Sequence, residues 1–299
     1  MILHAHLPYV RHPGTAECLE ELWLMEAITE TYIPLIEVMQ GLLRDNVPFR
    51  LTMSLTPTLA SMLADKYLQE RYAQHINRLC ELAEKEVQRT RWQPQLQIVA
   101  VRYLRQFRTA RQLFDDCHHR LLDLFADLAG TGRLEIMASA ATHGYLPLLH
   151  VNPKAVEAQI ALGIEAYRHF FYRDPTGFWL PECGFAPGID DIFAAYGIRY
   201  VITDSHGILH AEPRPRYSVY APIYTPAMVA AFGRDWESSK QVWSASEGYP
   251  GDFFYRDFYR DIGFDLDYDY IRPYLVDGIR GCTGIKYHRI TGKGDYKDI

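Results

Sequence analysis

Two histidines one residue apart, His4 and His6, stand near the start of the chain. Alternate residues of an extended segment share a face, so His4-Ala5-His6 sets two imidazoles side by side. Such a pair can ligate a metal, hydrogen-bond a polyhydroxyl ligand, or simply hold a strand end through its own hydrogen bonds. A metal would need a third ligand and a second shell to orient it, and His143 or Asp204 could supply one. The segment Trp179-Leu180-Pro181-Glu182-Cys183-Gly184-Phe185 offers different chemistry, because an apolar strand there ends in a carboxylate. Glu182, beside Trp179 and Pro181, reads as a partly desolvated carboxylate suited to act as a nucleophile or as an acid/base. Capping a surface strand is its structural alternative. Gly184 reads as the residue that permits a tight turn aiming Glu182 into a site, and Cys183 as a small buried filler. The loop Gly248-Tyr249-Pro250-Gly251-Asp252-Phe253-Phe254-Tyr255-Arg256 carries one acid, one base and four aromatic rings. It could clamp a sugar by stacking, with hydrogen bonds from Asp252 and Arg256, or be pinned by a salt bridge between those two.

These residues act together only if secondary structure brings them to one place. Short β-type runs alternate with helical patterns, the signature of repeated βα units and a mainly parallel sheet. Strands are expected at Ile2-Leu3, 49–55, 133–139, 178–181, 200–203 and 228–232. Leu19, Leu22, Trp23, Ala27 and Ile28 recur at helical spacing, with Pro34 interrupting that helix near Ile33. Residues 58–130 hold almost no Gly or Pro and read as an insertion of two or three helices. Asn152-Pro153 opens a helix to about Phe171, with Asn152 as N-cap and Pro153 at the first helical position. The stretch 205–249, rich in Pro, Tyr and Ser, reads as a small subdomain or an active-site cover. In this scheme His4, His6, His143, Glu182, Asp204, His206 and Asp235 all fall at C-terminal strand ends. Those ends form the active-site face of a β/α barrel, and that coincidence argues for an enzyme.

Composition sets the outer bounds. The chain has 299 residues, 48% of them hydrophobic and 23% charged, with a net charge of −6. That is an ordinary globular composition, long enough to bury a substantial core. Absence of a Lys/Arg block argues against a nucleic-acid surface, and no apolar stretch is long enough for a membrane span. Met1–Val10 lacks the pattern of a signal peptide, so a cytoplasmic location is expected. Five widely spaced cysteines without a C-x-x-C pair read as reduced thiols. Of 21 tyrosines, 13 lie between Tyr196 and Tyr296, a skew that fits core packing first and sugar or base binding second.

Three longer segments resemble the successive signature regions of glycoside hydrolase family 57. They are Leu3 to Pro13, Ala141 to Leu149 and Trp179 to Phe185. Within that family, the loop from Gly248 to Arg260 and the segment Lys286 to Lys293 look most like the 1,4-α-glucan branching enzymes. The resemblance implies an α/β fold, an incomplete (β/α)7-type barrel across 1–299, acting on α-1,4-glucans without a metal or other cofactor. It makes Glu182 the nucleophile and His4, His6 and His143 substrate-site residues, with Arg256, Trp23 and Asp252 as further glucan contacts. Retaining chemistry needs a second carboxyl about 5–5.5 Å away. The resemblance places the acid/base aspartate in a fourth motif beyond the region matching Lys286 to Ile299, and none of Asp204, Asp235, Glu247 or Asp252 matches it. A helical C-terminal domain of the family is also unmatched, so the expectation is an N-terminal catalytic part. Three alternatives stand beside branching: a family 57 α-amylase or 4-α-glucanotransferase, a glucan-binding fragment without turnover, and a metal-dependent polysaccharide deacetylase using His4, His6 and an acid. Oligomeric state is not legible.

Overall fold

The computed structural model describes residues 1–14, 18–291 and 299. The chain divides into two compact units, each assembled from three separate stretches. The first comprises Met1–Tyr9, Met39–Ala64 and Leu122–Ser239; the second comprises Val10–Val38, Asp65–Leu121 and Lys240–Ile299.

The first unit is built on a sheet of β1 (Ile2–Ala5), β2 (Leu51–Leu55), β3 (Leu134–Ser139), β4 (Gly177–Trp179), β5 (Tyr200–Thr203), β6 (Ile223–Tyr224) and β7 (Ala230–Gly233). Its order is β1-β2-β3-β4-β5-β7-β6. All neighbours are parallel except the edge pair β6–β7, so the C-terminal ends of the six parallel strands point the same way. Parallel strands covered on both faces are apolar throughout, and β3 reads Leu-Glu-Ile-Met-Ala-Ser with five of its six residues buried. The core beneath the strand ends is Met137, Trp179, Cys183 and Ile202, with Tyr200 packed against it.

Helix Pro153–Phe171 follows the expected bounds, with Asn152 at the cap position and Pro153 at the first turn, though the Asn152 side chain makes no capping bond. Gly163 lets this helix approach β3 closely, since a Cβ there would lie 2.1 Å from the Ser139 carbonyl oxygen. Strand β4 is shorter than its sequence suggests: regular pairing ends at Trp179, and Pro181–Cys183 form a 3-10 turn.

The second unit is mainly helical. Helix Lys66–Arg89 buries Leu68, Tyr72, Ile76, Leu79 and Ala83, a 3.6-period stripe, and packs along helix Pro94–Asp116. Where two or three helices are expected between 58 and 130, there are four: Pro57–Ala64, Lys66–Arg89, Pro94–Asp116 and Leu121–Gly130, of which the first and nearly all of the last belong to the first unit. The breaks need no glycine. Asp65 caps the second helix by accepting from Leu68 N at 3.0 Å, Pro94 opens the third, and His118 and His119 turn with positive φ before the fourth. Pro34 has the disturbing effect expected of it, as Ile28–Tyr32 form a π-helical turn between helix Leu19–Ala27 and helix Ile33–Arg44. Among the described residues no helix is long and apolar enough to cross a membrane.

Candidate active site

The strand register explains how residues far apart in sequence meet. His4 lies opposite Ser54 across β1–β2, and Ser139 lies opposite Trp179 across β3–β4. His6 follows β1, and His143 is held by a left-handed backbone (φ 56°) four residues beyond Ser139. Four rings consequently form a stack. His4 packs on Trp179 at 4.3 Å between centroids and on His143 at 5.1 Å, while His6 packs on His143 at 3.8 Å. The rings lie face to face and do not converge, and among the described residues no three His, Cys, Asp or Glu side chains form a group that could hold a metal ion. The deacetylase alternative calls for such a convergent set at His4 and His6.

Each histidine has its Nδ1 on a hydroxyl. The pairs are His4 with Ser54 Oγ at 2.6 Å, His6 with Thr56 Oγ1 at 3.2 Å, and His143 with Ser139 Oγ at 3.3 Å. Burial, with a smaller contribution from His6, holds the His143 pKa down at about 4. Burial also lowers that of His6, opposed by the Glu182 carboxylate beside it. Loss of hydration around the packed ring, followed by repulsion from His143, His6 and Arg234, lowers the His4 pKa in turn. Part of the His4 ring still meets solvent, which makes His143 the firmer titration probe.

A depressed imidazole pKa means the unfolded chain, with a histidine pKa near 6.5, binds protons that the native protein refuses. Stability from the neutral stack is therefore complete above about pH 6.5 and falls as the pH drops toward 4. Urea midpoints measured from pH 7 to 4 should decline across that window, and His143→Gln should flatten the slope. An unchanged slope in the variant would show that His143 takes up its proton in the native protein as it does in the unfolded chain, and that its pKa is not lowered.

Glu182 differs from its sequence reading in two ways. Its side chain is exposed, not partly desolvated, because Pro181–Cys183 turns it outward and leaves Cys183, only 2% exposed, as the residue that enters the core. The turn does not come from Gly184, whose backbone is extended (φ −79°). Instead Glu182 (φ 50°) and Cys183 (φ 55°) are themselves left-handed. Non-glycine residues held there cost about 1–3 kcal/mol each and cluster where function requires a particular aim. Gly184 is needed for space: a Cβ would lie 2.3 Å from the Tyr145 ring.

Sequence reasoning missed Arg234. It directly follows β7, donates from Nη1 to Cys183 Sγ at 4.0 Å, and is one of the charges acting on His4. Its signal was available, a cation at a C-terminal strand end beside the noted Asp235. The hydroxyls of Ser54 and Ser139, inside apolar strands, and of Thr56, just past β2, were missed too, although buried polar residues ask for partners. Other acids have local work. Asp235 accepts from Ser238 N at 3.3 Å, opening helix Trp236–Trp243; Asp204 pairs with His206 at 3.3 Å; Glu247 pairs with Lys240 at 2.7 Å.

Trp23, Asp252 and Arg256 belong to the second unit. Trp23 is exposed on helix Leu19–Ala27. The salt bridge between Asp252 and Arg256 is not formed: Asp252 accepts from Phe254 N at 2.9 Å, while Arg256 donates to Tyr103 Oη at 3.2 Å and to the Glu30 carboxylate.

The profile of glycosyl hydrolase family 57 matches residues 1–262. The chain belongs to this family. Its fold is that of the family 57 α/β proteins, the incomplete barrel-like arrangement expected, and it superposes on the alpha-amylase AmyC from Thermotoga maritima with a TM-score of 0.93. That match has 47% identity and covers 99% of this chain and 58% of that one. The GH57-type branching enzyme of Pyrococcus horikoshii aligns with a TM-score of 0.83 and 31% identity, over 100% of this chain and 54% of that one. The 1,4-alpha-glucan branching enzyme of Thermococcus kodakarensis is 34% identical over 87% of this chain and 42% of its own length. The family 57 chain described here thus spans about half the length of these relatives.

Proposed function

We propose that this family 57 protein acts on α-1,4-glucans by a retaining mechanism with Glu182 as the nucleophile, and that its principal activity is branching. The observation that carries the proposal is the placement of Glu182. An exposed carboxylate is aimed by a left-handed turn at the C-terminal end of β4, beside His6 in a stack of imidazoles kept neutral by burial. In such chemistry the carboxylate attacks the anomeric carbon, the glycosidic bond breaks, and the leaving oxygen takes a proton from a second carboxylic acid. The glucosyl ester is then resolved by a sugar 6-hydroxyl in branching or by water in hydrolysis, and exclusion of water favours the sugar. Neutral imidazoles suit this role, since they hydrogen-bond sugar hydroxyls without adding charge beside the ester. None of Asp204, Asp235, Glu247 or Asp252 is assigned as the acid/base.

Branching is supported by the names of the relatives from Thermococcus and Pyrococcus, at 34% and 31% identity. A second reading, hydrolysis, is favoured by the 47% identity to a protein described as an alpha-amylase. Incubation with amylose separates them. Branching should raise the count of α-1,6 linkages, read by proton NMR or debranching, with little gain in reducing ends. A rise in reducing ends without α-1,6 linkages would transfer the assignment to hydrolysis.

A further inference from the structure

The hydroxyls beneath the imidazole stack decide which nitrogen of each ring carries its proton. Ser139 Oγ donates to the Trp179 carbonyl oxygen at 3.0 Å. A carbonyl can only accept and a serine has one hydroxyl proton, so toward His143 Nδ1, 3.3 Å away, Ser139 Oγ must accept. His143 therefore carries its proton on Nδ1, and its Nε2 is a lone pair. The same logic runs through two threonines. Thr58 Oγ1 commits its proton to the Leu7 carbonyl oxygen at 3.0 Å. It can only accept from Thr56 Oγ1 at 3.1 Å, which spends the Thr56 proton. Thr56 Oγ1 must then accept from His6 Nδ1 at 3.2 Å, leaving His6 Nε2 a lone pair as well. Ser54 is the opposite case. It is fully buried, and His4 Nδ1 at 2.6 Å is the acceptor for its proton, which makes His4 an Nε2–H imidazole.

We propose that Ser139 and the Thr56–Thr58 pair are positioning residues that lock His143 and His6 as Nδ1–H tautomers, so that His6 offers Nε2 as an acceptor to the hydroxyls of a neutral sugar while His4 offers Nε2–H as a donor. The ligand class rests on the proposed function; the tautomer assignment does not. His143 Nε2 and Trp179 Nε1 are both enclosed without a hydrogen-bond partner, and both rings pack on His4. With the tautomer fixed, one is an acceptor and the other a donor. A sugar hydroxyl both donates and accepts and so matches the His6 Nε2 lone pair together with the His4 Nε2–H, whereas a phosphate or carboxylate that can only accept would meet a lone pair at His6.

Tautomers are read directly by long-range 1H–15N correlation on protein labelled with 15N-histidine, each ring assigned by its loss in a His→Gln variant. Free wild-type protein should show protonated Nδ1 and bare Nε2 for His143 and His6, and the reverse for His4. Protonated Nε2 on His143 or His6 overturns the lock. Ser139→Ala should move His143 toward the Nε2–H form and Thr56→Val should do the same for His6, with Ser139→Thr restoring the wild-type pattern. A pattern that survives removal of the hydroxyl also overturns it. In the bound state maltotetraose is the probe, and Thr56→Val should weaken its binding about tenfold while Thr56→Ser does not. Wild-type protein with the expected tautomers that fails to bind maltotetraose would overturn the sugar as ligand and leave the lock standing.

Discussion

Glu182→Gln is expected to abolish turnover of amylose, with kcat falling about 10⁴-fold or more, while the fold persists. A carboxamide is nearly isosteric with the carboxylate but too weakly nucleophilic to form a glycosyl ester. The stability cost should stay within about 0.5 kcal/mol, because the side chain is exposed and the substitution leaves the left-handed backbone as it was. Urea unfolding beside the activity assay therefore separates lost chemistry from lost structure. A further variant assigns the role. In Glu182→Ala, azide can occupy the space of the missing carboxylate and attack the anomeric carbon. One displacement gives an inverted β-glycosyl azide, which is the mark of a missing nucleophile. An acid/base residue removed in the same way leaves the nucleophile to react first, and two displacements give the α-azide. Recovery of α-azide, or retention of more than a tenth of wild-type turnover by Glu182→Gln, would remove Glu182 from the nucleophile role.

The features legible in the sequence were those with a local cause. Strand β5 falls where Tyr200-Val201-Ile202-Thr203 predicts it, because a short β-branched run bounded by a turn has few other options. Helix Pro153–Phe171 is announced by Asn152-Pro153, and the disturbance near Ile33 by Pro34. His4, His6, His143 and Glu182 are legible as strand-end residues, and the structure gathers all four in the first unit. What the sequence hides is nonlocal. The partner of His4 is fifty positions away, set by the β1–β2 register rather than by any neighbour. The turn that aims Glu182 uses two non-glycine residues with positive φ, for which composition gives no cue, and the adjacent Gly184 points to the wrong cause. Asp252 and Arg256 look like an ion pair at i,i+4, yet Glu30, more than two hundred residues earlier, holds the arginine.

The segment after the aromatic loop gives the second large effect. From 257 to 291 the backbone has only short helical turns, so its buried N–H groups need partners that no sheet or long helix supplies. Asp261, fully buried, provides them. Its Oδ1 accepts from Gly263 N, Thr283 N and Thr283 Oγ1, each at 2.8 Å, and its Oδ2 accepts from Gly284 N at 3.0 Å and from Lys286 Nζ at 3.3 Å. Lys286 is itself 7% exposed and donates to the Phe258 carbonyl oxygen at 2.8 Å. Asp261→Ala would leave a buried ammonium without its counter-charge and three backbone N–H groups unpaired. The expected cost is about 3–5 kcal/mol, read as a lower urea midpoint. Asp261→Asn keeps an acceptor for part of the set and should cost less. The decisive comparison is the double variant Asp261→Ala with Lys286→Met, which removes the stranded charge and should recover part of the loss, leaving only the unpaired N–H groups. If the double variant is destabilised by the full sum of the two single changes, the carboxylate and the ammonium are not coupled, and Asp261 works through its backbone contacts alone.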